Sequence, residues 1–132
     1  MSTYPINGSC LCGDVQIGID AWQTKVTYCH CSQCRKQTGL YYAAADVLNT
    51  DLHVDDRKLR WYEASDFAMR GFCPRCGSAL FWRRHGSDST AVMPGCIDGN
   101  TGLDADGHIF VDDRGDYYAI SDDLPLWPKS DS

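Results

Sequence analysis

Cys73-Pro-Arg-Cys-Gly77 and Gly8-Ser-Cys-Leu-Cys-Gly13 are the two stretches that decide the fold, because together they supply four thiols at metal-ligand spacing. A Cys-x-x-Cys turn that ends in glycine lets both sulfurs point at one ion, since glycine adopts backbone conformations that strain other residues. Cys10 and Cys12 lie two residues apart, so their side chains point the same way in an extended segment. We therefore expect a closed structural zinc site made by Cys10, Cys12, Cys73 and Cys76. The alternative for Cys73 and Cys76 is a redox dithiol, but the βαβ pattern usual for that role is missing.

A second cluster, Cys29-His-Cys-Ser-Gln-Cys34, supplies three thiols. Three thiolates leave one position of a tetrahedral zinc ion open, as in catalytic zinc sites. An open site activates water, or binds and polarises a thiol or carbonyl, and a thiolate-rich site suits a thiol ligand. Cys29, Cys31 and Cys34 are therefore the candidate catalytic residues. The alternative is a second closed structural zinc, with Cys96 or His30 as the fourth ligand, although His30 would point away from the metal in an extended segment.

Length and composition favour one globular domain. A chain of 132 residues with 43% hydrophobic content is long enough for a modest core. We expect a single zinc-binding domain over 1–132, with a core at about residues 4–121. No apolar run approaches the ~20 residues that span a membrane, and the N-terminus lacks signal-peptide features. A cytoplasmic location is expected, and there the eight cysteines are more often metal ligands or catalytic groups than disulfides.

The charge pattern argues against a nucleic-acid partner. The formal net charge is −6, and seventeen of the eighteen acidic residues are Asp, with Glu63 the exception. Asp favours turns and caps, which fits a protein of strands and loops. Net negative charge opposes sequence-independent binding to phosphates. Arg83-Arg84 and Arg35-Lys36 are the candidates for a local basic patch.

Short segments of alternating apolar residues predict a mainly β domain. The predicted strands are 14–20, 25–28, 40–47, 58–63, 67–72, 79–83, 90–93, 108–111 and 117–120. Residues 32–38 predict one short helical turn that Gly39 ends. A loop is predicted over 94–107, and an irregular tail after Ser121, with Trp127 packing back onto the body.

Other polar side chains give weaker signals. His85 and His108 have the chemistry for acid or base roles near neutral pH, but nothing in the sequence places them near the cysteine triplet. Glu63 and Asp46 are expected to be exposed, with a position beside a pocket as the alternative. Cys96 is expected to be simply buried, as unpaired cysteines often are. The aromatic residues expected mainly in the core are Tyr41, Tyr42, Trp61, Phe81 and Trp82.

Three segments, 8–15, 29–39 and 72–80, resemble the glutathione-dependent formaldehyde-activating enzyme family, which shares its domain with centromere protein V. Residues 108–111 and 123–125 also match the general pattern of this family. The resemblance implies a small β-tent of short antiparallel strands that binds two zinc ions per chain. It implies a structural zinc on Cys10, Cys12, Cys73 and Cys76, and a catalytic zinc on Cys29, Cys31 and Cys34.

For activity, the resemblance implies condensation of glutathione with formaldehyde to S-(hydroxymethyl)glutathione, a carbon–sulfur lyase reaction in reverse. The sequence is therefore interpreted as a zinc enzyme that joins glutathione, or another thiol, to formaldehyde or a related small aldehyde. Two alternatives stay open. One is a non-catalytic two-zinc module that binds a partner protein or nucleic acid, and the other is a thiol or redox sensor that loses zinc on oxidation. A homodimer formed through exposed apolar strands also stays open.

Overall fold

The computed structural model describes residues 4–55 and 57–130. The strands in chain order are β1 (Ile6–Ser9), β2 (Gln16–Ile19), β3 (Lys25–Cys29), β4 (Tyr42–Leu48), β5 (Leu52–Val54), β6 (Arg60–Glu63), β7 (Ala68–Phe72), β8 (Ala79–Arg84), β9 (Ser89–Val92) and β10 (Asp104–Ile109). One α-helix, α1 (Ser32–Thr38), lies between β3 and β4. The fold is mainly β, as predicted. No helix in the described ranges is long and apolar enough to cross a membrane.

The chain divides into two compact units. The first comprises Met1–Gln23 and Ala45–Gly102, and the second comprises Thr24–Ala44 and Leu103–Ser132. Strand β4 contributes its first three residues to the second unit and its last four to the first. The prediction of a single zinc-binding domain stays a prediction.

The first unit contains two antiparallel arrangements of strands. In the smaller, β2 lies between β1 and β5. In the larger, the end of β4 pairs with β9, which is followed in order by β8, β7 and β6. Alternate residues of β2 and of the segment before it, Val15, Ile17 and Ile19, are buried together with Phe81 of β8. The predicted period-two pattern thus supplies the core, and Cys10 and Cys73 belong to the same buried cluster.

The second unit is built around β3. The first residues of β4 pair antiparallel with it, and β10 pairs parallel with it on the other side. The helix α1 begins at Ser32 and ends at Thr38, as predicted, because Gly39 takes a left-handed conformation with φ of 85°. The parallel pairing of β10 departs from the expected set of antiparallel strands.

Several predicted segments were wrong in detail. Residues 117–120 form no strand, since the Tyr117 hydroxyl donates to the Gly39 carbonyl and Tyr118 bonds to a buried histidine. The loop predicted over 94–107 ends earlier, because β10 begins at Asp104. Strands β1 and β5 were not predicted; they have only four and three residues, too few for a periodic pattern to stand out. The tail packs back at Trp127 as predicted, with its N–H donating to the His108 carbonyl.

At Gly8, β1 packs closely against the backbone of another segment. Gly8 forms an isolated bridge with Ile97, and a Cβ added at Gly8 would overlap the carbonyl oxygen of Cys96. Because that oxygen belongs to backbone, it cannot swing aside. We expect Gly8→Ala to lower the free energy of unfolding by about 1–3 kcal/mol, measured by urea denaturation of the metal-loaded protein. Gly95→Ala is the matched control, since a Cβ there meets nothing within 4 Å. Equal losses in both variants would contradict this account of β1.

Candidate functional site

The first unit gathers four cysteine sulfurs at one point. Cys10 and Cys12 follow β1, and Cys73 and Cys76 lie in the turn between β7 and β8. All four Sγ atoms lie within 4.8 Å of one another. The Cys10–Cys12 Sγ distance is 3.6 Å, and the Cys12–Cys73 distance is 3.8 Å. Four sulfurs about 2.3 Å from a tetrahedral zinc ion would be about 3.8 Å apart, so these residues fit such an ion.

Backbone and side-chain hydrogen bonds hold this cluster in place. The Leu11 N–H donates to Ser78 Oγ at 2.9 Å, and the Val15 N–H donates to the Cys10 sulfur at 3.2 Å. The Ser78 hydroxyl also lies 3.2 Å from the Cys76 sulfur. Hydrogen bonds from the Ser78 hydroxyl and N–H lower the pKa of Cys76 to about 5. These hydrogen bonds favour the thiolate of Cys76, the form that binds metals.

The second unit gathers the other three clustered cysteines. Cys29 is the last residue of β3, Cys31 is the N-cap of α1, and Cys34 is in the first turn of α1. Their sulfurs also lie within 4.8 Å of one another. Cys34 is buried, whereas Cys29 and Cys31 are half-buried. No disulfide joins any of the eight cysteines, all of which lie in the described ranges.

Electrostatics indicate that the triplet would hold a cation. Hydrogen bonding with Cys31 and then with Cys34 raises the pKa of the Cys29 thiol far above its usual range. Three thiolates so close together repel one another, and a bound cation removes that obstacle. Three sulfurs would leave one position of a four-coordinate ion open. The donor set and spacing therefore fit zinc.

His30 lies between two of these cysteines but does not join them. Its side chain is 0% exposed. Its Nδ1 is 2.6 Å from the Tyr118 hydroxyl, and its Nε2 is 2.8 Å from His108 Nδ1. Both ring nitrogens are thus occupied, which opposes the reading of His30 as the fourth ligand. Burial, with the charges of His108 and Arg114, lowers the pKa of His30 to about 4, so the ring is neutral at pH 7.

Two residues beside the triplet could not be assigned from the sequence. His108 is buried next to His30, and its Nε2 lies 2.9 Å from an oxygen of Asp122. Tyr118 was expected in a strand. The rings of Tyr28 and Tyr41 pack around the two histidines, with Tyr41 4.7 Å from His30 and Tyr28 5.2 Å from His108. The alternation of His30 with two cysteines was the available signal that it points away from the sulfurs.

The remaining candidates lie elsewhere in the first unit. His85 and Glu63 form an exposed pair with 2.7 Å between Nε2 and Oε1. Asp46 lines a cleft of about 380 Å³ together with Trp22. Cys96 packs against the core, and burial raises the pKa of its thiol to about 12. Arg83 stacks over Trp61 at 4.7 Å and bonds to Thr90. None of these contacts forms a further cluster of metal-binding side chains within the described residues.

Comparison with known proteins agrees with the recognition made from the sequence. Residues 5–113 match the family described as glutathione-dependent formaldehyde-activating enzyme. A Schizosaccharomyces pombe protein named as an uncharacterized lyase is 25% identical over 121 residues, which cover 91% of this chain and 88% of the relative. The fold is also similar to the crystal structure of a Rhodobacter sphaeroides protein, with a TM-score of 0.62 and 26% sequence identity. This match covers 72% of this chain and 90% of that one. The family match spans well over half of the sequence and all seven clustered cysteines, and the chain belongs to the glutathione-dependent formaldehyde-activating enzyme family.

Proposed function

We propose that the protein is a zinc-dependent enzyme of carbon–sulfur lyase type that joins a thiol to a small aldehyde. Glutathione and formaldehyde are the proposed substrates, because the family is described by that pair. The observation that carries the proposal is the cluster of three sulfurs at Cys29, Cys31 and Cys34. The name lyase given to the yeast relative agrees with this class of reaction. A cytoplasmic location is proposed with it, since a thiolate site needs reduced cysteines.

The proposed reaction is an addition without redox change. The thiol sulfur attacks the carbonyl carbon of the aldehyde, and a C–S bond forms as the C=O π bond breaks. The proton lost by the thiol ends on the former carbonyl oxygen, giving a hydroxymethyl thioether. In the reverse direction the C–S bond breaks and the aldehyde leaves, which is the lyase direction. No oxidant or further reactant is needed.

Residues of the second unit would hold the zinc ion, balance its charge and leave it open to the substrate. When bound, zinc supplies Lewis acidity and lowers the pKa of a thiol or polarises a carbonyl. Cys29, Cys31 and Cys34 would hold the ion. Arg35 and Lys36 follow in α1 and would offset the charge of −1 that three thiolates leave on a divalent cation. Cys29 and Cys31 are half-buried, whereas Cys34 is buried, so substrate and the solvent that carries the proton would approach from the side of Cys29 and Cys31.

The four-cysteine cluster would have a structural role. Its donors fill a tetrahedral shell, so no position is left for a substrate. Cys10 and Cys73 lie within the hydrophobic core of the first unit. A zinc ion there would link the segment after β1 to the β7–β8 turn. Zinc is the proposed metal because four thiolates at this spacing suit it, although iron also takes tetrahedral sulfur coordination.

The direct test measures formation of S-(hydroxymethyl)glutathione by NMR. Glutathione and formaldehyde also react without a catalyst, so the quantity to compare is the exchange rate with and without zinc-loaded protein. We expect a rate that grows in proportion to protein concentration and returns to the uncatalysed value after chelation. The same measurement with cysteine in place of glutathione tests whether glutathione itself is required. A rate independent of zinc-loaded protein for both thiols would overturn the proposed reaction.

A further inference from the structure

Four side chains of the second unit form a continuous hydrogen-bonded chain that includes His30, the residue between Cys29 and Cys31. We name Tyr118, His30, His108 and Asp122 the histidine network. The links run from Tyr118 to His30 at 2.6 Å, from His30 to His108 at 2.8 Å, and from His108 to Asp122 at 2.9 and 3.1 Å. His30 and His108 are 0% and 2% exposed. Burying these two imidazoles is costly unless they are paired, and their partners at the two ends are the half-buried Tyr118 and the exposed Asp122.

When both imidazole rings are neutral, only one assignment of donors and acceptors satisfies every hydrogen bond of the network. An ionised Asp122 can only accept, so His108 must donate from Nε2 and accept at Nδ1. His30 then donates from Nε2 to His108, and its Nδ1 accepts the proton of the Tyr118 hydroxyl. Every link therefore has one donor and one acceptor. The tautomer of His30 is set by a carboxylate two links away, much as outer partners orient metal-binding histidines.

His30 transmits this constraint to the metal ligands. It is held at three points, because its backbone N–H also donates to the Ile109 carbonyl at 3.0 Å. In an extended segment its neighbours Cys29 and Cys31 point to the opposite face. Fixing the ring and backbone of His30 therefore fixes the direction in which two of the three sulfurs project.

The last part of the chain supplies half of the network. Tyr118 and Asp122 come after β10, beyond residue 113 where the family match ends. This segment is anchored beside β10: the His108 N–H donates to the Pro125 carbonyl at 2.9 Å, and Trp127 packs so closely over Gly107 that a Cβ there would overlap its ring.

We propose that Tyr118, His108 and Asp122 are positioning residues that act through His30 to set the metal affinity and thiol response of the three-cysteine site. This inference rests on the proposed function only in taking that site to bind a metal. Removal of the Tyr118 hydroxyl leaves a buried ring nitrogen of His30 without its donor, and unpaired buried groups are destabilising. Changes to outer partners of metal sites typically lower affinity 10–100-fold, and we expect about tenfold here because the effect passes through a neighbouring residue.

The test is competition between a chelator and the cobalt-loaded protein. We expect cobalt to be lost in two phases, one for each cysteine cluster. The phase that is absent in Cys31→Ser identifies the triplet. We expect Tyr118→Phe to lower the cobalt affinity of that phase about tenfold and to alter the absorption change on adding glutathione. Asp122→Asn should act in the same direction but more weakly, since the amide oxygen can still accept from His108. The double variant should lose less than the product of the two single effects, because both act through one chain.

Matched controls separate positioning from general loss of stability. Tyr62→Phe and Asp123→Asn make the same chemical changes at exposed positions and should leave both phases unchanged. The affinity of the four-cysteine phase should stay constant in every variant. Three outcomes would overturn the inference: an unchanged triplet phase in Tyr118→Phe and Asp122→Asn, a parallel fall of both phases, or a wild-type protein with no triplet phase. If the wild-type protein does not catalyse the proposed reaction but the variants still show this pattern of cobalt affinities, the proposed reaction is rejected and the positioning role stands.

Discussion

Replacement of Cys73 by serine is expected to unfold the first unit. The side chain is 0% exposed and lies both in the four-cysteine cluster and in the hydrophobic core. Structural zinc contributes on the order of 10 kcal/mol to the folding of small metal-dependent domains, which is comparable to the whole stability of an ordinary domain. Cys73→Ser removes a ligand from that ion and adds a polar hydroxyl to the core. We expect one bound metal fewer and a loss of the near-UV circular dichroism signal.

Cys96→Ser is the matched control for this prediction. It makes the same atomic change at a cysteine that packs against the same core but lies outside the cluster. We expect that variant to keep both metals and to lose only about 1–2 kcal/mol of unfolding free energy. Chelation of the wild type, which removes metal from both clusters, should likewise abolish the near-UV circular dichroism signal. A Cys73→Ser protein as stable as Cys96→Ser, with unchanged metal content, would show that the four-cysteine cluster has no structural role.

Replacement of Cys31 by serine is expected to abolish the proposed activity while the fold remains. The Cys31 sulfur is the N-cap of α1 and accepts the Cys34 N–H at 3.3 Å. Serine is among the best N-cap residues, so the helix is preserved while a metal ligand is lost. Because loss of an outer partner alone costs 10–100-fold, the catalysed rate should fall by about a hundredfold or more.

The measurement combines the NMR rate with metal analysis and far-UV circular dichroism. The Cys31→Ser protein should retain one metal, on the four-cysteine cluster, and a wild-type dichroism spectrum. Ser32→Ala, at the exposed residue next in the chain, is the control and should keep most of the activity. Full activity in Cys31→Ser would mean that the triplet is not where the reaction occurs.

The cysteine clusters were predictable because their geometry is largely local. Spacings of two and three residues set which sulfurs face the same way, and Gly39 and Gly77 mark the ends of the local turns. The period-two pattern likewise predicted a strand over 14–20, whose apolar residues Val15, Ile17 and Ile19 lie in the core. These features depend on short-range backbone geometry, which a single sequence carries. The two halves of the four-cysteine cluster are distant in sequence, with the contacting Cys12 and Cys73 lying 61 residues apart. Their pairing was predicted because two cysteine pairs fill the four positions of a tetrahedral ion, and not from any periodic pattern.

The histidine network could not be predicted, because its contacts join residues that are distant in the sequence. His30 and His108 are 78 residues apart, and their contact depends on the parallel pairing of β10 with β3. No local pattern encodes that pairing, since β10 is polar and rich in Asp and Gly. Tyr118 lies in a segment with a strand-like composition, yet its hydroxyl bonds to a buried ring instead of its backbone joining a sheet. Tertiary contacts of this kind override propensity.

The most direct test of the central claim is cobalt substitution followed by titration with glutathione. We predict two cobalt ions per chain, with thiolate charge-transfer absorption from both sites. Addition of glutathione should change the ligand-field bands of one ion, and this change should disappear in Cys31→Ser but persist in Cys96→Ser. Two ions whose spectra ignore glutathione, or only one bound ion, would contradict an open thiol-binding position at Cys29, Cys31 and Cys34.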